Sequence, residues 1–245
     1  MAPTTPRYEL YYWPTIQGRG EFVRLALEAA GATYDDVARR PEKDGGGVPA
    51  LIRVLQEGSD EWLPFAPPVL RFDGVTVSQT AAILDEIAPT LRLVRSSKRA
   101  LALAYQLTVA DFVSEVHDTH HPVSPMLHYE DQVDAAKSRA RAFRAERMPK
   151  YLRYFERVLE RGSDDGPWLF GDEPSYVDLS LFQLISGLRY AFPNATERFV
   201  HEVPHLLALA ERVNQVPNIA RYLASERRLP FNQNGIFRHY PELDP

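Results

Sequence analysis

The spacing of hydrophobic and polar positions changes once along the chain, near residue 88. Before that point short strand-like runs alternate with helical runs, and after it apolar residues recur at helical spacing. Residues 8–13 are rich in aromatic side chains and predict a strand whose side chains alternate between two faces. Residues 21–30 predict a helix that ends at Gly31, and residues 32–37 predict a second strand.

The rest of the first segment predicts a hairpin and one more helix. Residues 40–47 contain three consecutive glycines and predict a mobile loop. Residues 67–77 hold two β-rich runs around an Asp-Gly pair, which is typical of a hairpin. Residues 80–87 predict a helix that ends before Pro89. The expected order is therefore βαβ, then a loop or short helix, then ββα.

The second part of the chain predicts helices only. Residues 101–116 form one long apolar run, and residues 131–159 predict another helix that Pro149 kinks. Ser175 opens a capping-box pattern, with Asp178 in place of the usual Glu. Two further helices are expected to begin at Pro204 and Pro217. We therefore predict an α/β domain over residues 1–88, a linker over 89–97, an all-helical domain over 98–228 and a tail over 229–245.

Composition excludes several classes of function. The 245 residues carry a net charge of −5, so no strong basic field favours nucleic acid. No apolar run approaches the roughly 20 residues of a membrane helix, and the N-terminal residues lack the apolar stretch of a secretory signal. There is no cysteine, which excludes disulfides, thiolate metal sites and a cysteine nucleophile. We expect a cytoplasmic protein that binds neither nucleic acid nor membrane.

Four motifs in order along the chain resemble those of cytosolic glutathione transferases of the tyrosine type, close to the sigma, alpha, mu and pi classes. The motifs are Tyr12-Trp13 before Gly18-Arg19-Gly20-Glu21, Pro68-Val-Leu-Arg-Phe-Asp73-Gly74, Gln79-Thr80, and Ser175 with Asp178. The resemblance covers about residues 8 to 225. It implies a thioredoxin-like N-terminal domain that binds glutathione, an all-α C-terminal domain and a homodimer. Glutathione would be a co-substrate, with no other cofactor and no metal.

The resemblance assigns activation of the glutathione thiol to Tyr12. A thiol with a pKa near roughly 8.5 is mostly protonated at neutral pH, and a hydroxyl that donates a hydrogen bond stabilises its thiolate. Tyr11 competes for this role, but it lies on the other face of the strand. The loop after Tyr12 is one residue longer than the family pattern, which makes Thr15 a second candidate. Arg19 would stabilise the thiolate by its charge, or else lie on the surface.

The same resemblance assigns the other contacts of glutathione. Gln79 and Thr80, at a helix N-terminus, would hold the γ-glutamyl carboxylate. Pro68 would be a cis proline that exposes the backbone of Pro67, although Pro67 has no N–H to donate. The remaining contacts would come from Arg53 to the glycyl carboxylate and from Asp111, which would reach the amino group of glutathione in the other subunit. Trp62 would border the site or simply pack.

An apolar electrophile would occupy a hydrophobic pocket lined by Trp13, Phe112 and Val116, which Phe231 or Phe237 of the tail would close. His117 and His121 lie one helical turn apart and would suit a metal, but no third ligand is evident. Gly18-x-Gly20 lacks the third glycine of a dinucleotide fingerprint. The expected function is attack of the glutathione thiolate on an apolar electrophile, with detoxification as its setting. Small organic electrophiles, peroxides and isomerisable ligands are equally open as substrates. The alternative is a non-catalytic protein of this fold that binds a ligand or partner.

Overall fold

The computed structural model describes residues 8–59, 62–162 and 166–245. Its N-terminal part contains strands and helices in alternation. These elements are β1 (Tyr8–Tyr11), α1 (Gly20–Ala29), β2 (Tyr34–Asp36), α2 (Gly47–Glu57), β3 (Val69–Phe72), β4 (Val75–Ser78) and α3 (Thr80–Leu91).

The strands form one mixed sheet in the order β2-β1-β3-β4. β1 pairs with β2 in parallel and with β3 in antiparallel orientation, and β3 pairs with β4 as a hairpin. The βαβ unit followed by ββα is thus confirmed. α3 continues to Leu91, so Pro89 lies inside its last turn instead of ending the helix.

The glycine-rich segment before α2 is closely packed. A Cβ atom on Gly46 would lie 2.5 Å from the Cβ of Arg40 and 2.7 Å from the carbonyl oxygen of Val37. Residues Glu42–Asp44 form a 3-10 turn, and α2 begins at Gly47. The glycines that predicted a loop therefore allow α2 to approach the segment after β2.

The C-terminal part is helical, as expected. Its elements are α4 (Arg99–His117), α5 (Val133–Ala142), α6 (Met148–Gly162), α7 (Tyr176–Ala191), α8 (Pro193–Glu197), α9 (Pro204–Gln215) and α10 (Pro217–Leu223). A π-helical turn, Phe143–Arg147, joins α5 to α6. Because Pro149 has no N–H to donate to the carbonyl of Ala145, the expected interruption takes the form of this turn.

Helix α7 lies at the centre of the molecule. It packs against α1, α4 and α9, and almost all of its residues are buried. The tail after α10 covers part of the helical domain: Ile236, Phe237 and Leu243 are buried, and the ring of Tyr240 stacks on Tyr129 with centroids 3.8 Å apart. No helix in the described ranges has the length and hydrophobicity needed to cross a membrane.

Candidate functional site

Tyr12 follows directly after β1, where the chain turns toward α1. Its ring packs between two glycines: a Cβ on Gly18 would lie 2.1 Å from the Tyr12 hydroxyl, and one on Gly20 would lie 2.5 Å from the ring. The hydroxyl oxygen accepts a hydrogen bond from the backbone N–H of Arg19 at 2.8 Å. The Gly18-Arg19-Gly20 motif thus encloses this tyrosine at the N-terminus of α1.

The environment of Tyr12 keeps its hydroxyl protonated at neutral pH. Burial raises the pKa of Tyr12 above its ordinary value, while the N–H of Arg19 and the charges of Arg19 and Arg24 oppose that shift. The oxygen already accepts a hydrogen bond from the Arg19 N–H, and within the described ranges no atom accepts the hydroxyl proton. The group is therefore arranged as a donor to a bound acceptor.

The two alternative hydroxyls lie in different surroundings. Tyr11 points to the opposite face of the sheet, where it packs with Val37, Leu51 and Val69, and its hydroxyl donates to Glu9 at 3.0 Å. Thr15 is exposed in the loop before α1. The alternation predicted for this strand is thus confirmed, and it separates Tyr11 from Tyr12.

Arg19, Gln79 and Thr80 line one cavity of about 490 Å³ between α3 and α4. Gln79 has a φ of 70°, and Thr80 is the first residue of α3. The Thr80 hydroxyl is buried without a hydrogen-bond partner among the described residues. A helix N-terminus with an unused hydroxyl and a nearby guanidinium can accept an anion.

The remaining residues assigned to glutathione are spread more widely. The Pro67–Pro68 peptide bond is cis, as expected. Arg53 is exposed on α2, and Asp111 is exposed on α4. Trp62 is 39% exposed, which leaves its ring available to a ligand.

Two of the three residues expected to line a hydrophobic pocket face the protein core instead. Phe112 and Val116 are completely buried, and Phe112 stacks on Tyr151 with centroids 4.4 Å apart. The prediction that these two side chains line the pocket is therefore wrong. Trp13 is 38% exposed and remains accessible.

Residues 12–19, which join β1 to α1, are called the Tyr12 loop. The side of α4 that contacts this loop is polar. The Ser114 hydroxyl accepts a hydrogen bond from Arg19 Nη2 at 3.2 Å, and His117 follows one turn later. Burial lowers the pKa of His117, and the nearby charges of Arg19 and Arg238 lower it further. Two guanidinium groups therefore lie near this part of α4.

A buried polar network beneath the Tyr12 loop was not anticipated. Glu21 and Arg24 are both fully buried on α1 and lie 3.3 Å apart, and Arg24 also contacts Asp36 at 2.7 Å. Arg228 and the hydroxyl of Tyr222 contact Glu21 from the C-terminal side. The sequence does carry a signal for this network. Glu21 and Arg24 interrupt a run of α1 that is otherwise apolar on nearly every side, so the two charges cannot lie on a solvent-exposed face of the helix.

A second chain of contacts ties the loop to the tail. The amide of Gln183 donates to Gln17 Oε1 at 2.8 Å and accepts from Arg228 at 2.8 Å. Gln17 in turn donates to the carbonyl of Leu229, and Asn232 donates to the carbonyl of Thr15 at 2.8 Å. The longer loop after Tyr12 is thus held by α7 and by the tail.

His120, in the turn that follows α4, contacts the tail. His120 Nε2 lies 2.7 Å from the carbonyl oxygen of Ile236, so this nitrogen carries the proton. His120 Nδ1 then accepts from His121 Nδ1, 2.6 Å away. Within the described ranges, no group of three or more acidic or histidine side chains could hold a metal ion.

Comparisons with known proteins agree with the fold and the motifs. Residues 117–226 match the family model "Glutathione S-transferase, C-terminal domain". Glutathione S-transferase alpha-5 of Rattus norvegicus is 30% identical over 220 residues, which cover 88% of this chain and 89% of that protein. Glutathione S-transferase alpha I of Oryctolagus cuniculus is 27% identical over 234 residues, covering 94% and 95%.

A solved structure supports the same fold. The pi-class glutathione S-transferase of Onchocerca volvulus superposes with a TM-score of 0.70 at 20% identity and covers 94% of this chain and 99% of its own. The thioredoxin-like and all-helical arrangement is therefore confirmed. Together with the rat relative, these matches establish that the chain belongs to the glutathione S-transferase family and is an enzyme of that class.

Proposed function

We propose that Tyr12 activates glutathione by donating a hydrogen bond from its hydroxyl to the thiolate. The observation that carries this proposal is the N–H of Arg19, which bonds to the tyrosine oxygen at 2.8 Å and leaves the hydroxyl proton for the ligand. A donated hydrogen bond favours the charged form of sulfur and lowers the pKa of the bound thiol from roughly 8.5. Arg19 adds a positive charge beside the same oxygen.

Glutathione would lie with its γ-glutamyl carboxylate at the N-terminus of α3. Gln79 and Thr80 would hold that carboxylate, and the buried, unused hydroxyl of Thr80 supports this assignment. The carbonyl oxygen of Pro67 would accept a hydrogen bond from the cysteinyl N–H of glutathione. Because Pro67 has no N–H, it cannot donate a second hydrogen bond, and the binding free energy is weaker by about 0.5–1.5 kcal/mol. Arg53 would bind the glycyl carboxylate.

The electrophile would lie between Trp13 and the polar side of α4. The exposed ring of Trp13 offers an apolar surface, whereas Ser114 and His117 offer hydrogen bonds. This mixture favours small organic electrophiles with an apolar body and a polar group. The reaction would require no cofactor other than glutathione, and detoxification in the cytoplasm would be its setting.

The active unit would be a homodimer in which Asp111 reaches glutathione bound to the partner subunit. Large apolar side chains at the surface support a second copy: Phe65 is 93% exposed, and Leu107, which lines the cavity between α3 and α4, is 52% exposed. Light scattering during size-exclusion chromatography measures the mass directly. A monomer at working concentration would contradict this proposal.

The test of Tyr12 is the ultraviolet absorbance of the bound thiolate against pH. We expect a lowered thiol pKa in the unaltered protein, a return toward the free value in Tyr12→Phe, and no change in Tyr11→Phe. Tyr11→Phe is a matched control because it removes the same group from the neighbouring residue on the opposite face. A lowered pKa that survives Tyr12→Phe would move the role to Thr15 or Arg19. The absence of a thiolate signal in every variant would contradict activation of the glutathione thiol at this site.

A further inference from the structure

A second cavity of about 640 Å³ lies at the far end of α1 from Tyr12. It is bounded by the turn before β2, by β2 itself and by α10 with the segment that follows it. A helix of ten residues spans about 15 Å, so α1 separates this cavity from the Tyr12 loop. The volume is in the range of sites for small molecules.

Four arginines line this cavity in a chain whose net charge is −5. Two of them are neutralised by carboxylates of the same wall. Arg40 contacts Asp35 at 3.1 Å, and Arg227 contacts Glu28 at 2.9 Å. The third carboxylate of the lining, Asp36, is paired with the buried Arg24 behind it.

Arg39 and Arg221 are the two remaining cations, and neither contacts a carboxylate within the described ranges. Arg39 donates to the carbonyl oxygens of Arg227 at 2.6 Å and Glu226 at 3.1 Å, which fixes its side chain at the cavity. Arg221 contacts the side-chain oxygen of Asn218. A guanidinium has five N–H groups, so both side chains keep donors for a ligand.

We propose that this cavity binds a small phosphate monoester through Arg39 and Arg221. The phosphate of a monoester carries nearly two negative charges at neutral pH, which matches two guanidinium groups without carboxylate partners. Guanidinium groups also fit the oxygens of phosphate in pairs. A phosphate fills only a small part of 640 Å³, so the ligand has a body of about the size of a sugar or nucleoside.

The test is calorimetric titration of the full-length protein at low salt with inorganic phosphate, adenosine monophosphate, glucose 6-phosphate and malonate. We expect one phosphate monoester to bind per chain and Arg221→Gln to weaken that binding tenfold or more. Arg141→Gln is the matched control, because it removes one exposed positive charge from α5. The affinities for adenosine monophosphate and glucose 6-phosphate, compared with each other, show whether the cavity accepts a nucleoside or a sugar beside the phosphate.

Several results would overturn the proposal. These are no binding of any monoester, equal weakening by Arg141→Gln, or unchanged binding in Arg221→Gln. Malonate binding as tightly as the monoesters would refute the assignment to phosphate. Displacement by S-hexylglutathione would place the ligand in the glutathione site instead. Arg39→Lys, which keeps the charge but removes the planar fork, is expected to weaken binding as well, and wild-type affinity in that variant would contradict paired contact with phosphate.

Discussion

Gly18 determines where the Tyr12 side chain can lie. An alanine Cβ at this position would lie 2.1 Å from the tyrosine hydroxyl, so Gly18→Ala must displace either the ring or the loop. Loss of a hydrogen bond to a charged group costs about 1.5–3 kcal/mol, and we expect kcat/KM to fall by about tenfold to a hundredfold. Steady-state kinetics with glutathione and a chromogenic electrophile measure this loss.

The variant Gly45→Ala is the control that distinguishes the steric clash with Tyr12 from the backbone strain of a positive φ. Gly45 also has a positive φ, 75° against 48° at Gly18, but a Cβ there would meet no atom within 4 Å. This variant is expected to lose some stability through strain and to keep its activity. Equal loss of activity in both variants would contradict the steric argument.

His120 makes the stability of the protein sensitive to acid. Burial lowers its pKa to about 2 in the folded protein, against an ordinary value near 6.5, and Arg238, His117 and His121 lower it further. Below about pH 6.5 the His120 imidazole binds a proton in the unfolded chain but not in the folded chain, so the free energy of unfolding falls as pH falls. By about pH 5.5 the loss from this residue reaches about 1.4 kcal/mol.

Chemical denaturation at about pH 7.5 and about pH 5.5 measures this dependence. His120→Gln keeps a donor for the carbonyl of Ile236 and cannot titrate. We expect the difference in unfolding free energy between the two pH values to shrink in this variant. An unchanged difference would show that other groups carry the acid sensitivity.

At the scale of single elements, the N-terminus of α7 depends on Asp178. This carboxylate is fully buried and accepts from the N–H groups of Leu169 at 3.0 Å and Ser175 at 2.7 Å, while the Ser175 hydroxyl accepts from Asp178 N–H. Asp178→Ala leaves two buried N–H groups unpaired and is expected to cost about 3 kcal/mol or more. Ser175→Ala removes the cap and the hydrogen bond that the Ser175 hydroxyl donates to Asp178 Oδ2 at 2.5 Å, and it is expected to cost about 0.5–2 kcal/mol.

Urea denaturation measures the loss of unfolding free energy in Asp178→Ala and in Ser175→Ala. Asp172→Ala is the control, because the Asp172 side chain is 81% exposed and contacts Arg95 only at 3.9 Å. Its unfolding free energy should stay close to that of the unaltered protein. A larger effect of Ser175→Ala than of Asp178→Ala would contradict the role given to the carboxylate.

The elements themselves were largely predictable, but their orientation was not. Period-two alternation separates Tyr11 from Tyr12, and the capping box at Ser175 marks the start of α7, because both patterns act over a few residues. Residues 101–116 are apolar on almost every side, so spacing alone does not tell which side faces the core. The resemblance assigned Phe112 and Val116 to the pocket, and the spacing gave no reason to exclude them, although packing against Tyr151 buries Phe112.

At the scale of the whole molecule, Gln183 joins the Tyr12 loop to the C-terminal segment. Gln183→Leu keeps the volume of the side chain but removes one hydrogen-bond partner of Gln17 and one of Arg228. We expect lower stability together with a several-fold fall in kcat and a raised pKa of the bound thiol, since the loop that ends at Arg19 loses a support.

Gln56→Leu, an exposed substitution on α2, is the control and is expected to change neither quantity. Lower stability of Gln183→Leu with unaltered kcat and thiol pKa would limit Gln183 to a structural role. Contacts of this kind escape sequence patterns: Gln17 and Gln183 are 166 positions apart, and neither lies in a recognisable motif. The tail likewise has no periodicity, yet it contacts both the turn after α4 and the loop before α1.

The contacts of Gln17 and Thr15 with the tail also bear on the order in which the protein matures during synthesis. The strands and helices of the first domain leave the ribosome early and can assemble among themselves, because domains generally fold as units from the N-terminus. Leu229 and Asn232, however, lie 212 and 217 positions after their partners Gln17 and Thr15, so they are added much later. The loop beside Tyr12 therefore cannot reach its final set of bonds on a nascent chain. We expect ribosome-bound protein to have a formed sheet but an unfinished active-site loop until the tail is free to close on it.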